Sequence, residues 1–485
     1  MRVRAGLVAG LAGALLLAGC SDPDDADPPV DGPGLAAAID TDAVIADLEQ
    51  LQRVADENGG NRAVGTPGYD ASVDYVVGQL EDAGFDVATP EFDVEEFTAR
   101  TQTLAYSGRD VPVEALTYSP ATPPGGLTAR LVPAPADDTP GCEATDYDGT
   151  DVAGAVVLVD RGSCPFAQKQ QVAADLGAAA VLVANNTDEA LGGGTLGGTD
   201  EARIPTGGVG KADGAALRQG GDVTLTLDTT VEKTRSRNVI AQTKTGDADN
   251  VVMVGAHLDS VPDGPGINDD GSGVASVLET ARQLGAAPNV TNAVRFAFWG
   301  AEEVGLNGSE AYVGSLDDAA RSEIALYLNF DMVGSPNAGY FVYDGDNSDN
   351  VGEGPGPEGS AGIERTFGAI LLQSGVTPGG TDFDGRSDYG PFIAVGIPAG
   401  GLFTGAEDRK TPVQAEQWGG EPDAPLDPNY HTPQDTVANL DRAALALNAR
   451  AIGHGVGHYA QSVEGVNGVP PAGDARSAAR ADVGK

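Results

Sequence analysis

Val251-Val252-Met253-Val254-Gly255-Ala256-His257 opens a pattern that returns twice, in Ala293 to Trp299 followed by Gly300-Ala301-Glu302-Glu303, and in Ala325 to Phe330 followed by Asp331. Each is an apolar run of strand length that stops at a side chain able to bind a metal. Continuous apolar runs, without polar alternation, belong to strands buried on both faces, as in parallel sheets. Between the first two runs, Val274, Val277, Leu278 and Ala281 share one face of a helix. The alternation of strands and helices continues from Asn238 to about residue 460. It predicts an α/β fold with a mostly parallel central sheet flanked by helices. In such open sheets ligands bind beyond the carboxyl ends of the strands. Three ligand-type residues at three such ends are therefore expected to meet.

Two loops complete the set. Gly266-Ile267-Asn268-Asp269-Asp270-Gly271-Ser272-Gly273 is a tight turn before the helix, and Asn429-Tyr430-His431-Thr432-Pro433 carries a histidine. His257, Asp269, Glu303, Asp331 and His431 together offer two imidazoles and three carboxylates. A carboxylate can bridge two cations, so five groups can serve two Zn²⁺ ions and leave room for water, with no thiolate needed. Asp259, two residues past His257, is expected to accept the other imidazole N–H. Asp270 reads as turn chemistry. His454 and His458 are spaced as a metal pair but lack the intervening Glu of a zincin helix, and read as structural. Calcium remains a candidate cofactor without residue support.

These motifs resemble the M28 family of zinc aminopeptidases: His257-Leu258-Asp259-Ser260, Asn268 to Gly273, Trp299 to Glu303, Asn329-Phe330-Asp331-Met332, Gly385-Arg386-Ser387-Asp388, Gly400 to Glu407, and Tyr430-His431. The resemblance covers about residues 37–110 and 236–460. It implies a zinc exopeptidase fold and hydrolysis of the N-terminal bond of peptides. It also implies that His257 and Asp331 bind one zinc, Glu303 and His431 the other, and that Asp269 bridges them. Glu302 is then the general base, Tyr430 the oxyanion donor, and Arg386 a substrate contact near the free amine. Carboxypeptidases and glutaminyl cyclases share the scaffold, and some relatives survive as receptor-type modules without metal ligands. Streptomyces-type members have a disulfide beside the last histidine, where this chain has Asn429 and Gln434.

The segment 103–228 differs in texture, with short β-like runs rich in Gly and Pro around one βαβ unit: strand Ala155 to Val159, helix Ala167 to Leu176, strand Ala179 to Val183. With Asp160-Arg161-Gly162-Ser163-Cys164-Pro165-Phe166 at its centre, it resembles the protease-associated (PA) domain. Such inserts are thought to cover an active site or help select substrates, with a purely structural insert as the equal alternative. It is read here as an insert in a peptidase domain made of 37–102 and 229–462.

At the N-terminus Arg2 and Arg4 precede an apolar run, Leu7 to Ala18, too short for a spanning helix. Leu17-Ala18-Gly19-Cys20 resembles a lipoprotein box, so residues 1–19 read as a signal peptide and Cys20 as the lipidated residue. An exported protein anchored on the outer face of the membrane follows, touching it through that lipid alone; a plain signal peptide and a secreted protein are the alternative. Residues 20–36 are acidic and rich in Pro and Gly, and read as a tether. With Cys20 used for lipid, Cys142 and Cys164 form an even pair in an exported chain, an expected disulfide. The formal charge of −44 excludes a nucleic-acid partner, whose backbone needs Lys and Arg. Peptides are the expected partners and a monomer the expected state. Residues 463–485 read as a disordered tail.

Overall fold

The computed structural model describes residues 28–473, 476 and 477, apart from 136–139, 188–190, 192 and 353. Cys20 and the signal peptide lie outside the described residues. The chain forms two eight-stranded sheets. The first has four parallel strands at its centre: Asn292–Trp299, Asp247–His257, Ile324–Phe330 and Ala399–Phe403. Short strands at both edges pair antiparallel to these, Val239–Gln242 on one side and Phe341–Tyr343 on the other. The three runs that decided the fold are adjacent strands, and all but one of their residues are buried, as unbroken hydrophobicity requires. Helices Thr41–Glu57, Pro67–Asp82, Ser272–Leu284 and Arg442–Gln461 pack on this sheet around one apolar core that includes Leu48, Val76, Leu278 and Ile452.

The insert holds the second sheet. Its βαβ unit is Val156–Asp160, Phe166–Asp175 and Ala180–Ala184, with the two strands parallel, within two residues of the expected bounds. Two long strands, Glu91–Tyr106 and Gly221–Arg237, run antiparallel from the part that holds the first sheet into the insert. The expected boundaries at 102/103 and 228/229 fall inside this ladder, where Thr101 pairs with Asp228 and Thr103 with Thr226. Both parts therefore share these strands. Cys142 and Cys164 are joined by a disulfide, as the cysteine arithmetic expects.

Two expectations about the ends are corrected. Gly32–Ala38, assigned in part to the tether, is a helix: the Asp31 carboxylate accepts Gly34 N–H at 2.6 Å, and Pro33 sits in its first turn. Leu35 is buried, and Gly32 lies so close to Arg442–Gln461 that a Cβ there would sit 2.3 Å from His454 Cδ2. Val30 also packs on the core, so the packed structure starts by residue 30. The stretch read as a disordered tail is anchored at several of its described residues. Val463 and Val469 are buried, and Arg476 donates to the carbonyls of Asp249 and Ser322 at 3.0 and 2.9 Å and to Asn250 Oδ1 at 2.7 Å. A single arginine serving several acceptors orders a segment that composition alone cannot.

Candidate active site

The parallel strands bring the site together at their carboxyl ends. His257 is the last residue of its strand, and Asp331 follows Phe330 directly. Glu302 and Glu303 follow a turn in which Ala301 takes a left-handed φ of 60°. Met332, next to Asp331, and His431 itself are also left-handed, with φ of 55° and 56°. Each such non-glycine residue costs about 1–2 kcal/mol, and three of them abut the same cluster, where strain of this kind tends to collect. Gly273 is required by close approach: a Cβ there would lie 2.0 Å from the Phe330 carbonyl and 2.5 Å from Asp270 Oδ1.

Asp269 is the centre of the cluster. One of its oxygens lies 3.0 Å from His257 Nε2, and the other lies 3.1 Å from His431 Nε2. His257 Nε2 is also 3.6 Å from Asp331 Oδ1, and His431 Nε2 is 3.0 Å from Glu303 Oε2. The two imidazoles are thus joined through one carboxylate, with one further carboxylate beside each. Glu303 Oε1 and Asp331 Oδ1 are buried without any hydrogen-bond partner. Buried polar atoms are rarely left so. An acceptor-rich group of two imidazoles and three carboxylates, with two orphaned oxygens, fits two divalent cations such as zinc. Asp270 also lies close to His257 and Asp331. Its oxygens are already engaged, accepting N–H from His257 at 3.1 Å, Gly273 at 2.9 Å and Met332 at 3.0 Å. It ties three segments together, a wider role than the turn chemistry expected of it.

The pKa shifts follow from this crowding. For His431, burial works to lower the value, but its hydrogen bonds with Asp269 and Glu303 outweigh that and push it up to about 10. Burial, then the charge of Asp269, raises Glu303 to about 7 against the pull of His431. Glu302 is held well above the usual carboxylate range by burial, opposed by His257 and reinforced by Asp331, Asp388 and Glu303. Its carboxyl group lines the pocket and takes no protein hydrogen bond among the described residues.

Asp259 acts differently from expectation. The nearest acceptor to His257 Nδ1 is the Asp259 backbone carbonyl at 3.1 Å, with the carboxylate at 3.7 Å. That carboxylate instead accepts the N–H groups of Glu302 and Glu303 at 3.1 and 3.3 Å. It orients the two glutamates more than the imidazole. Arg386 is also engaged: it pairs with Glu407 and donates to the Tyr430 hydroxyl.

Three residues that hold the site carried no role in the sequence reading. Arg62, fully buried, donates to the carbonyls of Leu258, Pro265 and Gly266. Asp435 accepts Asn268 N–H at 2.7 Å and Asp269 N–H at 3.0 Å, and burial pushes it up to about 8. It fixes the His431 loop to the Asp269 turn. Ser387 donates to Asp331 Oδ2 at 2.6 Å and closes a buried chain of donors from Trp299 through Tyr327 and Asn329. Arg62 in a Gly/Pro-rich turn and Asp435 four residues past His431 were visible as charges, but nothing local marks them as buried. His454 and His458 take no part in the site.

The pocket over the cluster has an apolar wall of Met332, Tyr343, Phe403 and Ala406. Among the described residues none of its lining comes from the insert.

A model of peptidase family M28 matches residues 238–456, and a PA domain model matches residues 127–217. A Mycobacterium tuberculosis protein named probable lipoprotein aminopeptidase LpqL is 57% identical over 458 residues, covering 92% of each chain. Leucine aminopeptidase 2 of Trichophyton rubrum is 42% identical over 436 residues, covering 89% of this chain and 86% of its own. Among solved structures, an aminopeptidase from Aneurinibacillus sp. strain AM-1 superposes with a TM-score of 0.68 at 31% identity, covering 90% of this chain and 98% of that one. A zinc aminopeptidase from Bacillus subtilis superposes at 0.55 with 25% identity, covering 89% and 98%.

Proposed function

The chain belongs to peptidase family M28 as an aminopeptidase with a PA domain, and on that premise we propose that it works through two zinc ions with Glu302 as general base. The observation that carries this reading is the pair of Asp269 oxygens, each facing a different imidazole, beside two orphaned carboxylate oxygens. His257 and Asp331 would hold one ion, Glu303 and His431 the other, and Asp269 would lie between them. Bound there, the ions would supply a water of lowered pKa and a Lewis acid for the scissile carbonyl.

The protein groups do the rest. Glu302 takes the proton from the water and passes it to the leaving amine, and a carboxyl held well above its ordinary range suits a group that must carry a proton midway. The negative charge of Glu302 and Asp331 suits the substrate's ammonium. Tyr430 faces the carbonyl oxygen as a donor. The wall of Met332, Tyr343, Phe403 and Ala406 suits an apolar first side chain, in line with relatives named leucine aminopeptidase. Every group comes from one chain, so a monomer suffices. Anchoring would run through lipid on Cys20; among the described residues no helix is long and apolar enough to cross a membrane.

Glu302→Gln tests the mechanism. It is expected to cut kcat by roughly 10²–10⁴-fold while leaving about two zinc ions per chain by elemental analysis. Zinc lost together with activity would make Glu302 a ligand and reject its role as base.

A further inference from the structure

Arg386 sits at the pocket with its guanidinium already committed. Its Nη1 lies 3.0 Å from Glu407 Oε1, its Nη2 lies 3.4 Å from Glu407 Oε2, and the same Nη2 donates to the Tyr430 hydroxyl at 3.2 Å. The two-pronged contact with Glu407 uses the fork geometry that fixes an arginine in a plane. On its other side, the Tyr430 ring stacks on the His431 imidazole, with centroids 3.8 Å apart and planes 24° from parallel. The phenol is therefore held at two points, by a ring face and by its oxygen.

The direction of that second contact matters. Arginine has five N–H donors and no acceptor, so the Tyr430 oxygen can only accept from it. The hydroxyl hydrogen must then point away from Arg386. Among the described residues it has no protein acceptor, and Tyr430 lines the same pocket as Glu302, Glu303 and Asp331. A substrate ammonium beside the guanidinium would be a like-charge contact, which argues against Arg386 as the group that receives the free amine.

We propose that Glu407 and Arg386 form a strut that aims the Tyr430 O–H into the pocket, making Glu407 a positioning residue for the reaction. This rests on the reading of Tyr430 as oxyanion donor. The strut is not expected to hold up the fold, because both partners are about half exposed, at 55% and 53%, and pairs of that kind add little stability.

Three variants decide it: Glu407→Gln, Tyr430→Phe and the double substitution, each assayed for zinc content and for kcat and KM on a leucyl anilide. Tyr430→Phe alone is expected to lower kcat roughly 10²–10³-fold. Glu407→Gln should lower kcat about tenfold, on the scale of partners that orient a reacting group, with KM and zinc content unchanged. In the double variant, removing Glu407 should add nothing beyond Tyr430→Phe, since a strut without its load has no work left. A Glu407→Gln loss that multiplies onto Tyr430→Phe, or one that falls on KM with kcat intact, would overturn the strut and leave the oxyanion role of Tyr430 standing. A Tyr430→Phe enzyme with near-native kcat would overturn the oxyanion role, and the strut with it.

Discussion

Replacing Arg62 with methionine separates the architecture of the site from its chemistry. Arg62 touches no substrate, yet its side chain donates to the carbonyls of Leu258, Pro265 and Gly266 in the loop that joins His257 to Asp269. Methionine keeps most of the aliphatic bulk and removes every donor. Gly266 keeps the N–H of Gly271 at 3.1 Å, so two buried carbonyls, Leu258 and Pro265, would be left without a partner, at about 1–3 kcal/mol each and about 2–6 kcal/mol together. The loss is partly offset, because the substitution also removes a buried charge; burial lowers the Arg62 pKa despite the nearby carboxylates Asp259, Asp435, Asp270 and Asp269. A net loss of about 1–4 kcal/mol is expected, or roughly 2–6 °C in the melting temperature of a domain of this size. Zinc affinity has two opposing contributions. Loss of a cation near four carboxylates favours zinc, whereas a loosened loop disfavours it, and displaced ligands typically cost 10–100-fold in affinity. The geometric effect is expected to win, since an attraction to the whole cluster cannot restore the placement of individual ligands. Calorimetry of the metal-free protein and chelator competition for zinc measure the two quantities. A variant with an unchanged melting temperature and tighter zinc binding would refute the strapping role and leave Arg62 a charge balance only.

Zinc loading should be coupled to protons and to pH. His431 titrates at about 10 in the metal-free site against an ordinary 6.5, so it is protonated at neutral pH and must release its proton to bind metal; titrations in buffers of different ionisation enthalpy should show proton release, and none would contradict His431 as a ligand. The sign for stability follows from the raised value: the stabilisation from His431 in the metal-free protein is fully present below 6.5 and fades as pH rises through about 10. The melting temperature of the metal-free protein should therefore drop over that window, an effect that His431→Gln removes. Cys20→Ser should shift the protein from the membrane fraction to the medium or block processing, and unchanged fractionation with no lipid mass on the mature N-terminus would reject anchoring through that residue.

Legibility from sequence followed the range of the forces involved. The central strands could be read because burial on both faces leaves an unbroken apolar run, and their order in the sheet put His257, Glu303 and Asp331 where open parallel sheets hold ligands. Asp269 and His431 were legible through their motifs. What stayed hidden depends on contacts between residues far apart in the chain: Arg62 reaches a loop about 200 residues away, and Asp435 accepts from Asn268 and Asp269. A charged residue in a turn looks solvated until the partner surface is known. The same holds beyond residue 462, where composition suggested disorder but Val463 and Val469 are buried and Arg476 reaches the carbonyls of Asp249 and Ser322. Asp259 was placed correctly in space and mistaken in its partner, because a carboxylate two residues from a histidine can turn to several donors.

The two long strands that lead into the insert have a mechanical meaning. Glu91–Tyr106 and Gly221–Arg237 form a two-stranded antiparallel ribbon, and its ladder of hydrogen bonds hardly lets it lengthen along its axis. The insert is therefore mounted on this ribbon as on a bar, and a load on it passes along these two strands. The bar is clamped at its root, where the Tyr69 hydroxyl holds the Arg237 carbonyl and the Asn238 side chain bonds Gly300 N–H and the Gly308 carbonyl. Gly300 lies two residues before Glu302. A torque applied to the insert by a bulky substrate would thus be delivered at the turn that carries Glu302 and Glu303.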